Sequence, residues 1–170
     1  MYFEWEYCTP EGFDNLVMFS DGHYLTGVYF EYSKGLSLIR NNGSYTKQLL
    51  PIFNSTMQWF DCYFNGEIPT FTPAYTLNNV TPFRKQVLNA MSNISYGHTA
   101  TYGSIARHIA EINGLRKMSA QAVGGAVGWN PICVIIPCHR VIGSDGRLTG
   151  YGGGIKNKKA LLSLEGVRCF

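Results

Sequence analysis

Five consecutive apolar residues, Ile132 to Ile136, stand between Pro131 and Pro137. A run this short and this apolar reads as a buried strand rather than a helix. Pro137 has no N–H to offer a ladder, so the strand ends there. The next residues are Cys138, His139 and Arg140. A thiol is thus delivered to the mouth of a strand by a residue of fixed φ. An unperturbed cysteine is only about 3% thiolate at neutral pH, and the thiolate is the nucleophile. Cationic neighbours such as His139 and Arg140 are expected to favour it. The pentapeptide alone also suits a packed strand-end cysteine beside a surface His-Arg pair, so its surroundings must decide.

The chain has 170 residues, enough for one large domain or two small ones with a real core. It has no run of about eighteen apolar residues, so no membrane span is expected. The first residues lack a basic stretch before an apolar one, so no signal peptide is read there. Five cysteines (Cys8, Cys62, Cys133, Cys138 and Cys169) make an odd count. Free thiols in a reducing compartment are expected, cytoplasmic or nuclear. Charge is unevenly shared. Residues 1–81 carry three cations against eight acids, −5; residues 82–170 carry eleven against three, +8; together they make the net +3. A basic half of this kind suits a polyanion, most often nucleic acid.

Along the chain, Phe13–Phe19, Tyr24–Tyr32 and Leu36–Ile39 read as antiparallel strands separated by turns at Asp21-Gly22 and Lys34-Gly35. Residues 45–64 place Leu49, Ile52, Phe53, Met57, Phe60 and Phe64 at helical spacing, with Pro51 starting or kinking the helix. Residues 66–81 read as a linker. Thr81-Pro82 opens a helix, Thr101 caps a second at 102–112, and Ser119 caps a third at 119–129, ended by Asn130-Pro131. Helix, short glycine turn, helix is the helix-turn-helix pattern. The third helix is made of small residues, Ser119, Ala120, Ala122, Gly124, Gly125 and Ala126. Two adjacent glycines cost it roughly 1 kcal/mol each against alanine. Its face could admit a neighbouring helix or a nucleic-acid groove. The segment from Thr149 to Gly154 is a glycine-rich loop carrying Tyr151, placed to cover a flat ligand such as a base. A last helix spans about 156–165.

Asn130-Pro131, the block Ile136-Pro137-Cys138-His139-Arg140-Val141-Ile142, Gly150-Tyr151 and Leu164-Glu165-Gly166 together resemble the O6-alkylguanine-DNA alkyltransferases, the methylated-DNA–protein-cysteine methyltransferases. The segments Thr81-Pro82-Phe83, Thr101-Tyr102-Gly103 and Ala122 to Ala126 match as well. The first half resembles the pattern only near Tyr63-Phe64-Asn65-Gly66. The resemblance implies an α+β fold: an N-terminal ribonuclease-H-like antiparallel sheet with a helix, residues 1–75, and a C-terminal winged-helix-like domain, residues 76–170. It implies single-turnover repair, with the alkyl group of O6-alkylguanine, and by extension O4-alkylthymine, moved onto Cys138 after base flipping.

The resemblance also implies roles. Cys138 accepts the alkyl group, His139 takes its proton through a water, and Glu165 orients His139. Asn130 holds the turn that carries the cysteine. Tyr102 donates to the guanine, Tyr151 lies over it, and the carbonyls of Cys138 and Val141 accept from its amino group. The helix with Ser119, Ala120 and Gln121 enters the minor groove, and Arg140 and Arg116 belong to the DNA-binding set. No cofactor and no metal are implied; Cys8, His23 and Cys62 do not make a compelling ligand set. The expected partner is double-stranded DNA bearing the lesion, met by a monomer.

Two positions depart from the common pattern. Gln121 stands where many relatives carry an arginine that fills the space of the flipped base. Gly152 stands where serine or alanine is frequent, which widens the pocket for larger alkyl groups. Three rivals remain from other classes. An alkylated-DNA binder without chemistry lacks the acceptor cysteine that is present here. A sensor of its own alkylation needs a further regulatory domain. A cysteine hydrolase would turn over repeatedly.

Overall fold

The computed structural model describes residues 1–168; Cys169 and Phe170 lie outside them. It is an α+β structure. A four-stranded sheet in the order β3-β2-β1-β4 is built from β1 (Tyr2–Tyr7), β2 (Leu16–Ser20), β3 (Leu25–Phe30) and β4 (Tyr45–Lys47). β1–β2 and β2–β3 are antiparallel, but β1 and β4 run parallel. The sheet is therefore mixed, not antiparallel throughout as expected. A helix is the reason: α1 (Lys34–Asn41) carries the chain across the sheet and returns it in the same direction as β1.

That helix replaces the strand expected at Leu36–Ile39. Ser33 caps it by accepting from the Leu36 N–H at 3.2 Å. Four residues with three apolar members fit either period, and the cap decides. α1 buries Leu36 against Val17 and Phe19 on one face of the sheet. Leu16, Met18, Leu25, Val28 and Phe30 belong to the main core on the other face. β2 is buried along its whole length because both of its faces are covered.

Helix α2 (Pro51–Phe64) begins at Pro51 rather than at residue 45, since residues 45–47 pair with β1. In the second half, α3 (Pro82–Ser92), α4 (Tyr102–Ile112) and α5 (Ala120–Gly128) match the expected helices closely. Their caps are Thr81, a Thr101–Ser104 capping box, and Ser119. Val123, Ala126 and Val127 of α5 are buried, whereas Ala120, Gln121, Ala122, Gly125 and Gly128 are exposed. Its small residues are shared between packing and an open face. Two-residue strands β5 (Ala100–Thr101) and β6 (Val141–Ile142) pair in parallel. Helix α6 (Ile155–Leu164) closes the described chain.

The expected strand at 132–136 is absent. Only Ile132 makes a bridge, to Val28 of β3. The chain then coils tightly: Val134 has φ +70°, Ile135 N–H donates to the Cys133 carbonyl at 2.9 Å, and Ile136 N–H donates to the Ile132 carbonyl at 3.0 Å. The run is as buried as a strand would be, which is all its composition demanded. Its polar backbone is satisfied locally, by Val28 of β3 and by the Asn130 side chain instead of by a full ladder.

One core cluster runs through both halves, from Met18 and Phe60 to Ile109 and Leu161. Polar ties reinforce it. Asp14 N–H donates to Asn157 Oδ1 at 2.9 Å, Asn157 Nδ2 donates to Asp14 Oδ2 at 2.7 Å, and Lys156 pairs with Asp14 at 3.2 Å.

Candidate active site

Cys138 opens a short 3₁₀ turn, Cys138–Arg140, and is 4% exposed. Asn130, itself buried, organises the turn. Its Nδ2 donates to the Ile136 carbonyl at 2.8 Å and to the Cys138 sulfur at 3.0 Å, with the Ile132 carbonyl more distant at 3.4 Å. Its Oδ1 accepts from the Ile132 N–H at 3.0 Å. One side chain thus ties both ends of the coil to the thiol.

Several groups act on the Cys138 sulfur. The nearby Cys133 thiol favours its charged form and burial opposes it; the Asn130 amide, Lys158 and the backbone then add to the first, and the thiol is held below the usual cysteine range. Arg140 is not among them. Its guanidinium makes a fork with Glu165 (Nε to Oε2 2.9 Å, Nη2 to Oε1 2.9 Å), and Nη1 donates to the Ile94 carbonyl at 2.6 Å. The expectation that Arg140 assists the thiolate is therefore corrected, because its guanidinium is turned to Glu165 and the Ile94 carbonyl. His139 brings no charge either: burial lowers its pKa from 6.5 against the pull of Glu165. The cation near the sulfur is Lys158 of α6, fully buried. Its Nζ donates to the Val141 carbonyl at 2.6 Å and the Thr149 carbonyl at 3.1 Å, and burial lowers it to about 8.

His139 is fully buried, with Nε2 2.8 Å from Glu165 Oε1. Glu165 Oε1 also accepts from the Tyr63 hydroxyl at 2.6 Å, and Oε2 accepts from the Gly97 N–H at 3.1 Å. Burial pushes the carboxyl up, but His139 and Arg140 outweigh it and hold it down to about 2. A carboxylate at Nε2 assigns the Nε2–H tautomer and leaves the lone pair on Nδ1. Nδ1 is buried and has no hydrogen-bond partner among the described residues.

A cleft of about 800 Å³ is lined by Tyr102, Gln121, Gly124, Tyr151, Gly152 and neighbours. Tyr102 OH donates to the Thr149 carbonyl at 3.3 Å. Gly152 is exposed, and a methyl group there would meet only the Gly128 carbonyl at 3.8 Å. Cys138 does not line this cleft. Tyr151 does, and its buried hydroxyl, without a partner of good geometry, lies beside Cys138. A second pocket, lined by Arg107, Arg116, Lys117, Ser119 and Ala120, shares Gly103 and Ala120 with the first. The residues singled out in the sequence thus form two sets. Asn130, Cys138, His139, Arg140, Val141 and Glu165 make the buried centre. Tyr102, Arg116, Ser119, Ala120, Gln121, Tyr151 and Gly152 line the outer surface.

Sequence reading assigned no role to Tyr63, Lys158 or Cys133. Tyr63 lies in a stretch that matched the family pattern, which was its only signal. Lys158 is one of three lysines within four residues, where nothing distinguishes the buried one. Among the described residues, no group of three or more His, Cys, Asp or Glu side chains could hold a metal ion, and no helix is long and apolar enough to cross a membrane.

Residues 82–167 match the family profile "6-O-methylguanine DNA methyltransferase, DNA binding domain". The chain is 40% identical over 162 residues to a methylated-DNA–protein-cysteine methyltransferase of Haemophilus influenzae, covering 95% of this chain and 84% of that one. It is 46% identical over 116 residues to the protein of that name from Mycobacterium bovis, 68% of this chain and 67% of the relative. Among solved structures, the Mycobacterium tuberculosis O6-methylguanine methyltransferase superposes with a TM-score of 0.79 at 37% identity, covering 97% of this chain and 93% of the other. The same enzyme in complex with DNA superposes at 0.77, at 36% identity over 96% and 91%. With a cysteine held ready beside a His–Glu pair and relatives that match it over nearly its whole length, the chain belongs to the methylated-DNA–protein-cysteine methyltransferase family.

Proposed function

We propose that this protein repairs DNA directly, moving the alkyl group of O6-alkylguanine in double-stranded DNA irreversibly onto its own Cys138. The observation that carries the reading is the Cys138 sulfur, drawn toward its thiolate inside a closed hydrogen-bonded centre and next to an open cleft with room for a base.

The base must leave the duplex to be reached, at a cost of a few kcal/mol. Stacking on an aromatic ring returns about 1–3 kcal/mol, and Tyr151 is placed for it. Gly150 and Gly154, at φ +32° and +86°, flank Tyr151 with backbone that glycine adopts freely. That freedom lets the ring swing from beside the sulfur to cover the base. Tyr102 turns its O–H from the Thr149 carbonyl to the guanine, and the carbonyls of Cys138 and Val141 accept from the guanine amino group. Each carbonyl already holds one bond, from Val141 N–H and Lys158 Nζ respectively, and each keeps a second lone pair.

His139 is neutral, so its Nδ1 can take the Cys138 proton through a water, while Glu165 balances the imidazolium that results. The thiolate attacks the alkyl carbon. A carbon–sulfur bond forms, the bond to guanine O6 breaks, and the proton that left the thiol restores neutral guanine. No oxyanion hole is needed, because no carbonyl is attacked. The thioether is not hydrolysed at neutral pH, so each molecule acts once. Gln121, on the open face of α5, fills the space of the flipped base, with Arg116 and the capped N-terminus at Ser119 and Ala120 on phosphates.

In this reading residues 1–75 form a ribonuclease-H-like unit that buttresses the centre. Residues 76–170 form the winged-helix-like unit that holds DNA, in the cytoplasm or nucleus where DNA is found. The test is an intact-mass measurement after incubation with a duplex containing O6-methylguanine. One methyl group per protein, on the Cys138 peptide, is the expected result. Binding with no mass change would mean recognition without chemistry.

A further inference from the structure

The loop that carries Tyr151 is tied at both ends to consecutive residues of α6. Lys158 Nζ holds its start through the Thr149 carbonyl at 3.1 Å. Asn157 holds its end, where Nδ2 donates to the Gly153 carbonyl at 2.7 Å. Asn157 is fully buried, and its other bonds reach into the first half of the chain. The same Nδ2 donates to Asp14 Oδ2 at 2.7 Å, and Oδ1 accepts from the Asp14 N–H at 2.9 Å. An amide suits this place because it carries two donors and an acceptor. Asp14 lies in the turn between β1 and β2, where its carbonyl accepts from Thr9 Oγ1 at 3.2 Å. One side chain thus fastens the rear of the glycine loop to the first half.

Gly153 is also where that loop is most crowded. A methyl group there would meet Phe30 of β3 at 2.5 Å and the Tyr151 ring at 2.8 Å. The Phe30 and Tyr151 rings themselves pack edge to face, 6.3 Å between centroids. A shift of the Gly153 backbone is therefore passed on to the Tyr151 ring and to Gly152, and both residues line the cleft.

We propose that Asn157 is a positioning residue for the transfer reaction: by anchoring the loop to Asp14 it sets where Tyr151 and Gly152 stand over the flipped base. The inference rests on the repair reaction proposed above. The anchor and the swing of the ring are compatible, since the freedom of Gly150 lies ahead of the ring and Asn157 fixes what lies behind it. Asn157 acts on the base through the loop, while the sulfur is held by Asn130. Its loss slows delivery of the base and leaves the reactivity of Cys138 in place.

Two methyl donors separate these effects. An O6-methylguanine duplex needs its base held beneath Tyr151; iodomethane needs no base. Both leave a methyl group on the Cys138 peptide, which is followed by mass. Asn157→Leu keeps the branched shape and removes all three bonds. Its transfer from the duplex should fall roughly tenfold, and its reaction with iodomethane should not fall. Asp14→Ala should lose a few-fold on the duplex, and Asp14→Asn, which keeps an oxygen for Asn157 Nδ2, should return to the parent rate. An equal fall with both donors, or duplex transfer at the parent rate in Asn157→Leu, overturns the proposal. If Asn157→Leu does not fold, the turn variants decide, and equal rates for Asp14→Ala and Asp14→Asn overturn it. If the parent takes no methyl group from the duplex, the repair reading falls. Hydrogen exchange at the backbone amides of 150–154, several-fold faster in Asp14→Ala than in the parent, then still decides whether Asn157 and Asp14 anchor the loop.

Discussion

Glu165 accepts from four residues, and that density sets how the protein responds to acid. Its folded pKa of about 2 lies below its ordinary 4.5. A depressed carboxylate contributes stability that is complete above the ordinary value and is lost as pH falls toward the folded one. At 1.36 kcal/mol per unit the loss between pH 4.5 and 2 is on the order of 3 kcal/mol. His139, depressed by burial from 6.5, acts with the same sign and begins the decline nearer neutrality. Urea unfolding across this range should show the fall in the parent and a clearly shallower one in Glu165→Gln; parallel slopes would contradict it. Lys158 sets the other side of the profile. With its ammonium lowered to about 8, transfer should decline as pH rises past that value. In Lys158→Met the alkaline decline should vanish and the rate at pH 7 drop about tenfold. Stopped transfer assays over pH 6 to 9.5 measure both, and an alkaline limb that survives the substitution assigns it elsewhere.

At the level of elements, α5 presents a face of small residues with Gln121 at its first exposed turn. An uncharged side chain that fills the gap of the flipped base matters only where a partner strand must be held apart. Gln121→Ala should therefore slow repair in duplex DNA more than in single strands; equal loss on both would remove Gln121 from that role. The glycine loop offers a matching test. Gly152 is free of left-handed strain and a methyl group fits there. Gly152→Ala should fold normally, keep methyl transfer, and lose several-fold in benzyl transfer as the cleft narrows. If both adducts are handled as by the parent, the breadth of the pocket is set elsewhere.

Across the whole molecule, Tyr63 is where α2 of the first half enters the centre. It is 1% exposed, stacks on Trp59 at 5.3 Å and donates to Glu165. Tyr63→Phe keeps the ring and removes one charge-assisted hydrogen bond, worth about 2 kcal/mol. For a chain of this size the melting temperature should fall by roughly 4–8 °C, with slower transfer as Glu165 loosens. An unchanged melting temperature would mean that the Tyr63–Glu165 bond adds nothing to the joining of the two halves.

The helices of the second half were legible in the sequence because caps and periodicity are local properties: Thr81, Thr101 and Ser119 sit where the structure uses them. The reacting block was legible through its motif. Reading failed where composition is indifferent to conformation. Leu36–Ile39 suits a strand or a helix until Ser33 caps it, and the apolar run before Cys138 requires only burial, which a coil braced by Asn130 and β3 supplies as well as a ladder. Charges were misassigned for a related reason. Adjacency in sequence placed Arg140 beside the thiol, but a 3₁₀ turn points successive side chains apart, so Arg140 turns to Glu165 while Lys158 and Cys133 arrive from elsewhere in the chain. Sequence alone determined which chemistry is present, because that depends on residue type and local spacing. The tertiary structure alone decided which groups draw the sulfur toward its thiolate, because that depends on distance and on exclusion of water.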